Sequence, residues 1–451
     1  MADLLSIILA AGEGTRMRSA TPKVLHQVGG LPMVSHAIRA AQMAGAGSIA
    51  VVIGPNHEST SAAVMAAEPS ATVFEQTERL GTGHAVRQAW PAFETASGNV
   101  IVLYADTPLV TSATMASIVA KLDAGAEIVV VGFEPDDPTG YGRLLTEGDR
   151  LLAIREHKDA TEQERAIRLV NSGIIGFRGA TLRAVIDRID NKNSKGEFYL
   201  TDAIELANAD GRAVEFTVAN AREVIGVDDR SKLAKAEAQF QELRREDFMA
   251  AGVTLKDPST VHFSYDTEIA PDVTIWPNVV FGPGVKIAGG VEIRSFCDIE
   301  QAVIGERASI GPFARIRGGA ELDADVHLGN FVEVKKSRIG AGTKAGHLSY
   351  LGDAVIGART NIGAGTITCN YDGVNKDVTT IGDDVFIGSN ASLVAPVSIG
   401  DGAYTASGSV ITEDVPVGAV AFGRSRQVNK PGYAQKLRER ALAKKAQKGR
   451  R

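Results

Sequence analysis

The stretch IGERASIGPFARIRGGAEL, residues 304–322, sets Ile304, Ile310, Ile316 and Leu322 six residues apart. The same count begins at Ile269 and runs through Ile275, Phe281, Ile287, Ile293 and Ile299. Beyond Leu322 it continues to Leu328 and Val334, drops a residue, and resumes at Ile339, Ala345 and Leu351. Ile356 and Ile362 follow, then an interruption, then Ile381, Ile387, Leu393, Ile399, Thr405, Ile411 and Val417. No α-helix or flat sheet has this period, whereas a triangular parallel solenoid does. Each hexad predicts one short strand and one corner, and three hexads one coil. The aliphatic residue points inward, and stacked coils bury a continuous apolar column. The glycines that follow many of these positions, such as Gly305, Gly311 and Gly329, suit tight corners. A six-count alone fits a scaffold as well as an enzyme.

The rest of the chain bounds the possibilities. At 451 residues it should hold two or three domains. Its 48 basic and 54 acidic side chains leave a net charge of -6, which points to neither nucleic acid nor membrane. Two cysteines, Cys297 and Cys369, cannot build a disulfide framework and suit a reducing compartment. The start, MADLLSIILAAGEG, has no basic leader region and reads as a first strand entering a Gly-rich loop. No apolar run approaches the ~20 residues that span a bilayer. We therefore expect a cytoplasmic protein in three segments. Residues 1–228 alternate apolar strands with helical runs, predicting an α/β domain with a mostly parallel sheet. Residues 229–251 have no Pro and lack Gly through Ala251, predicting a linker helix. Residues 252–451 hold the hexads and a basic tail, KLRERALAKKAQKGRR, read as a solvated, frayed end.

The first strand leads into Leu9-Ala10-Ala11-Gly12-Glu13-Gly14-Thr15-Arg16-Met17, with Pro22-Lys23-Val24-Leu25 soon after. Glycines let backbone N–H groups approach phosphate oxygens, and Arg16 and Lys23 add fixed positive charge. The dinucleotide fingerprint is excluded because Met17 stands where its third Gly belongs, and no Gly-Lys-Ser/Thr of a P-loop exists. Tyr104-Ala105-Asp106 ends an apolar strand, the edge where open α/β sheets bind ligands. A carboxylate at Asp106 can hold Mg2+ against phosphates, with a helix N-cap as its weaker alternative role.

The G-x-G-T-R-M and P-K-V-L pair resembles the signature of sugar-1-phosphate nucleotidyltransferases. That resemblance implies a Rossmann-like fold, and that Gln76, Gly81 and Thr82 read the uracil and its ribose. It gives Gly142, Glu156 and Asn171 to an N-acetylhexosamine, and a second metal-ligand position to Asp228. His84 is read as a packed helix residue. The family usually has Gly at Ala105 and Asn at Asp228. The extra methyl could narrow the nucleotide site, and the extra charge should tighten Mg2+ binding or alter metal preference.

Polar residues break the hexads where a scaffold needs none: Arg317, Lys335, His347, Tyr350 and Asn361, then an insertion read as Thr366 to Gly373. Singly, each fits a solvated surface. Together with K-A-G-H-L-x-Y-L-G-D and T-C-N-Y-D-G they resemble the bacterial bifunctional N-acetylglucosamine-1-phosphate uridylyltransferase/glucosamine-1-phosphate acetyltransferases, over about residues 4–430. The resemblance implies a left-handed parallel β-helix of hexapeptide repeats, usually homotrimeric. It makes His347 the base that frees the glucosamine amine. Arg317 and Lys335 would hold the sugar phosphate of glucosamine-1-phosphate, and Tyr350 and Asn361 its hydroxyls. Ala364, Asn370, Tyr371, Ser389, Ser407 and Arg424 would line an acetyl-CoA site, with Lys376 a further contributor. Ser407 replaces a usual Ala, and Gly318 a usual Pro. The product, N-acetylglucosamine-1-phosphate, would then react with UTP at the nucleotidyl half. Two alternatives remain: nucleotidyl transfer with the solenoid as an oligomerisation scaffold, and a sugar-nucleotide-binding regulator.

Overall fold

The computed structural model describes residues 4–55 and 58–448. The chain divides into two compact units, Met1–Ala250 with His262–Thr267, and Ala251–Val261 with Glu268–Arg451.

The first unit is built on a nine-stranded sheet. The strand Leu4–Ala10, third from one edge, is buried at every position. It pairs in parallel with Ser48–Ile53 on one side and Asn99–Tyr104 on the other. Only Val170–Arg178 and Arg150–Arg155 run against the remaining strands. Near-continuous apolar runs such as LLSIILA and IVVVGF fit a sheet covered on both faces. Two core clusters fill those faces, one around Ile8, Val34 and Ile101, the other around Ile7, Phe93 and Val102. Strand order reverses at Leu4–Ala10, since its two neighbours lie on opposite sides. A ligand crevice is expected at the carboxyl ends of such strands. The helix Arg230–Ala250 packs Ala236, Phe240 and Phe248 inward within the same unit. Gly29 is needed for that packing, because a Cβ there would lie 2.3 Å from the Phe240 ring.

The second unit is a three-sided parallel β-helix. Its strands fall into sheets of ten, eight and eight, and from Glu268–Ile269 to Val410–Ile411 each strand pairs with the third strand along the chain. Ile275, Ile293, Ile310, Leu328, Ala345 and Ile362 stack on one face. Phe281, Ile299, Ile316, Val334 and Leu351 stack on the next. Ile269, Ile287, Ile304, Leu322, Ile339 and Ile356 stack on the third. The inward register of the six-count is therefore observed coil by coil.

Three departures from the sequence reading have physical causes. Thr368 keeps the count after Ile362, buried at 1% exposure, with its hydroxyl bonded to Gly352. The strand Ile367–Cys369 thus stays in the wall, and the insertion leaves it at Asn370 rather than at Thr366. Val417 is 73% exposed, and Val415 takes the inward place beside Ile399. The tail forms a helix, Tyr433–Lys448, instead of fraying, because its Ala, Leu, Lys, Arg and Gln are strong helix formers. Its described side chains are exposed almost throughout. The last residues of the tail, 449–451, lie outside the described residues, as do 1–3 of the first-strand reading.

Candidate functional sites

In the first unit many of the sequence-selected residues converge at the carboxyl ends of the strands Leu4–Ala10 and Asn99–Tyr104. A cavity of about 260 Å3 opens there. Leu9, Ala10, Ala11, Gly12, Lys23, Gln76, Gly81, Thr82, Tyr104 and Asp106 line it. The loop closes tightly because Gly14, at φ 65, passes Lys23 where a Cβ would meet the lysine Cβ at 2.5 Å. Lys23 Nζ is ion-paired with Asp106, and both side chains are largely buried. Asp106 is not a helix cap, since Thr111 caps the following helix through the Thr114 N–H. The Val227 N–H donates to the Asp106 carbonyl at 2.8 Å, which sets Asp228 beside the same strand end. Asp228 lies between two cations, Arg16 at 3.1 Å and Lys232 at 2.6 Å. The extra charge that sequence reading gave to Asp228 is thus matched by Lys232, one helical turn away. Ala105 is fully buried in the core, so its methyl does not narrow the cavity.

Gln76 is buried, and its amide nitrogen is engaged by the Gly81 carbonyl and His84 Nδ1, each at 3.1 Å. His84 is a half-buried residue of the helix Thr82–Gln88. Gly142, Glu156 and Asn171 gather in a second cluster. The Asn171 N–H bonds the Gly142 carbonyl at 2.8 Å, and a Cβ at Gly142 would lie 3.3 Å from Glu156 Oε1. Burial raises the Glu156 carboxyl above the usual range; Lys195 opposes this, while Asp159 and Glu197 add to it. Sequence reasoning missed Arg79 and Glu197, both of which line the cavity. Arg79 Nε donates to the Ala11 carbonyl at 3.0 Å, bracing the Gly-rich loop. Those partners are 68 residues apart, so no local pattern reveals the contact.

The donor set near Asp106 is oxygen only, and no group of three His, Cys, Asp or Glu able to hold a metal occurs among the described residues. Two carboxylates, Asp106 and Asp228, fit a hard cation that shares its shell with substrate phosphates and water.

In the β-helix, register makes a site out of residues far apart in the chain. Asn330 and His347 are partners on adjacent coils, and His347 Nδ1 meets Asn330 Oδ1 at 2.7 Å. An amide oxygen only accepts, so in the neutral ring this contact places the proton on Nδ1 and the lone pair on Nε2. His347 is exposed. The same corner continues upward through Ala364, Ser389 and Ser407, each two residues past the inward position of its coil. Arg424 joins it near Gly408, where a Cβ would lie 3.7 Å from the arginine Cδ. On the following face Arg317 and Lys335 are register partners, and Lys335 pairs with Gly352. Tyr350 folds its hydroxyl over Gly352, where a Cβ would lie 2.3 Å from it. Arg317 is held by Glu333 at 2.7 Å, a partner that the hexad reading did not single out. Gly318 adopts φ 69, a value closed to proline, so the departure from the family's Pro is a local change of turn. Asn361 lies on the preceding face, paired with Lys344.

Asn370 and Tyr371 are not brought to this corner. They leave the wall past Cys369, at the far edge of the Tyr350 face, where Asn370 bonds Asp353 at 2.5 Å. Tyr371 is 59% exposed and bridges to Lys376. Asn330 was missed as well. Its signal was the coil length itself, since it stands 17 residues before His347, one coil below. Asn330→Ala should free the imidazole to rotate and lower acetyl transfer substantially, though less than removing His347. Asn330→Asp, which keeps the acceptor, should retain more activity in the same assay.

A Gly-rich loop at the switch point of an α/β sheet, followed along the chain by a hexapeptide coil, points to a two-part transferase. Family models agree with each part: MobA-like NTP transferase domain over residues 6–170, and bacterial transferase hexapeptide (six repeats) over residues 379–413. The coil is accordingly the left-handed type that this repeat builds. The protein named Bifunctional protein GlmU from Agrobacterium fabrum is 51% identical over 444 residues, covering 98% of each chain. Those of Azorhizobium caulinodans and Bartonella quintana are 53% and 48% identical over 97% and 98% of each chain. The chain belongs to the bifunctional GlmU family, and it is an enzyme with a nucleotidyltransferase half and an acyltransferase half.

Proposed function

We propose that the β-helix acetylates glucosamine-1-phosphate with acetyl-CoA, and that the α/β unit then joins the product to UTP, releasing pyrophosphate and UDP-N-acetylglucosamine. The observation that carries the acetyl half is the Asn330–His347 pair, which leaves an imidazole lone pair exposed at a corner. His347 Nε2 takes a proton from the sugar ammonium. The amine then attacks the thioester carbonyl, the C–S bond breaks, and the nitrogen gives up a second proton as the amide forms; one of the two protons goes to the departing coenzyme A thiolate and the other to solvent. Arg317 and Lys335 hold the sugar phosphate as adjacent cations. Tyr350 and Asn361 bond sugar hydroxyls. Ala364, Ser389, Ser407 and Arg424 line the path of the co-substrate. An amide near Asn370 steadies the oxyanion.

In the α/β unit, a sugar-phosphate oxygen displaces pyrophosphate at the α-phosphorus of UTP. That nucleophile is already an anion, so positioning and charge neutralisation suffice. Arg16 and Lys23 supply positive charge to the triphosphate, and the Gln76 carbonyl oxygen is free to accept from a uracil N–H. Gly142, Glu156 and Asn171 receive the N-acetylated sugar. Mg2+, held by Asp106 and Asp228, neutralises phosphate charge when bound.

The assembly belongs to this reading. Phe296, Phe313 and Phe331 form an exposed stack with centroids 4.9 and 5.2 Å apart. They lie on the His347 corner, continued by exposed Leu348. A homotrimer covers such a ridge and lets the Asn370–Tyr371 loop of one chain serve the His347 corner of another. Free Cys297 and Cys369 suit the cytoplasm, and no helix among the described residues is long and apolar enough to cross a membrane. The test is to assay the wild-type protein for each half-reaction separately. Acetyl transfer without uridylyl transfer, or the reverse, overturns the two-step reading.

A further inference from the structure

Beside the nucleotide cavity the first unit has a second recess, of about 580 Å3. Arg16, Arg18, Asp229 and Arg230 are among the residues that line it. Three guanidinium groups therefore share it with one carboxylate, in a chain whose net charge is -6. That carboxylate is engaged, since Asp229 Oδ1 accepts from the Lys232 N–H at 2.9 Å. Arg16 leans on Asp228. Arg230 bonds only neutral groups among the described residues: the Met17 carbonyl and His26 Nδ1, both at 3.3 Å. Arg18 has no ion pair among the described residues. Two of the three cations thus face the recess without an acidic partner.

The backbone adds an independent observation. Arg18 stands at φ 48 and ψ 51, a left-handed conformation that residues other than glycine rarely adopt. Its N–H closes the turn on the Thr15 carbonyl at 3.1 Å, so one turn presents both Arg16 and Arg18 to the recess. Strain of this kind clusters at ligand clamps.

We propose that this recess receives inorganic pyrophosphate as it leaves the nucleotide cavity, an inference that rests on the uridylyl reading above. Pyrophosphate carries several negative charges on compact oxygens, which guanidinium forks bind in pairs. Arg16 lines the recess and pairs with Asp228, whose chain neighbour Val227 bonds the Asp106 carbonyl at the cavity, so its positive charge stands between the two. No bond forms or breaks in the recess.

The experiment is calorimetric titration of inorganic pyrophosphate into the full-length wild type and the Arg18→Ala and Arg230→Ala proteins, alongside steady-state kinetics with UTP. Pyrophosphate affinity should fall by about tenfold or more in both variants, with the KM for UTP nearly unchanged. Arg18→Lys should restore part of the affinity. Unchanged pyrophosphate affinity in both variants, with uridylyl transfer intact in the wild type, overturns the recess alone. Equal weakening of UTP and pyrophosphate also overturns it, because that is the mark of a general charge effect. A wild type that shows no uridylyl transfer overturns the underlying reading, and the pyrophosphate assignment with it.

Discussion

The His347→Ala protein is expected to lose acetyl transfer by about 10²–10⁴-fold, while uridylyl transfer from preformed N-acetylglucosamine-1-phosphate persists. The size follows from the role proposed for the imidazole. An ammonium has no lone pair, so the amine cannot attack until a base takes its proton. His347 is exposed at the corner, with Nδ1 turned to Asn330 and Nε2 outward. Its alanine variant leaves the inward Ala345 and the neighbouring coils untouched, so the solenoid should fold. Separate assays of the two half-reactions on the same preparation decide the matter. Acetylation at the wild-type rate would remove His347 from the role of base.

Asp106→Ala should cut Mg2+-dependent pyrophosphate release by about 10²–10³-fold or more, with acetyl transfer unaffected. Asp106 stands at the end of the strand Asn99–Tyr104, inside the cavity and paired with Lys23. Removing the carboxylate deletes an oxygen proposed for the metal and leaves Lys23 largely buried without its partner. The second effect threatens stability, because a buried charge that loses its partner is costly. Asp106→Asn separates the two effects. It keeps an oxygen near Lys23 but loses the charge that binds a divalent cation, so it should fold normally and still fail in pyrophosphate release. Normal release by both variants would show that the metal is held elsewhere.

Much of this architecture was legible because a solenoid makes long-range structure local. Ile304, Ile310 and Ile316 lie on three different faces, yet each meets only the coil above and below. Their inward register could therefore be counted along the chain. The count misled where chemistry other than apolarity filled the interior. Thr368 is inward because its hydroxyl finds Gly352, and Val417 yields to Val415 where the last coil tightens. In the α/β unit the Gly-rich loop and Asp106 were legible from their place after apolar strands. Arg79 was not, since its carbonyl partner Ala11 is remote in sequence and close only once the sheet forms. Lys232 balances Asp228 from the next helical turn, an i,i+4 contact the sequence contains but whose meaning depends on Arg16 arriving from another loop.

The stacked corner that carries Asn330, His347, Ala364, Ser389 and Ser407 has a metric consequence. Adjacent rungs of a parallel sheet repeat at about 4.8 Å, so the corner is a graduated rule with the imidazole at a fixed mark. A long, flexible co-substrate laid along it is gauged in whole rungs. Inserting or deleting one full coil between His347 and Arg424 would keep every inward residue inward, yet move the far anchor by one graduation and carry the reactive end past the base.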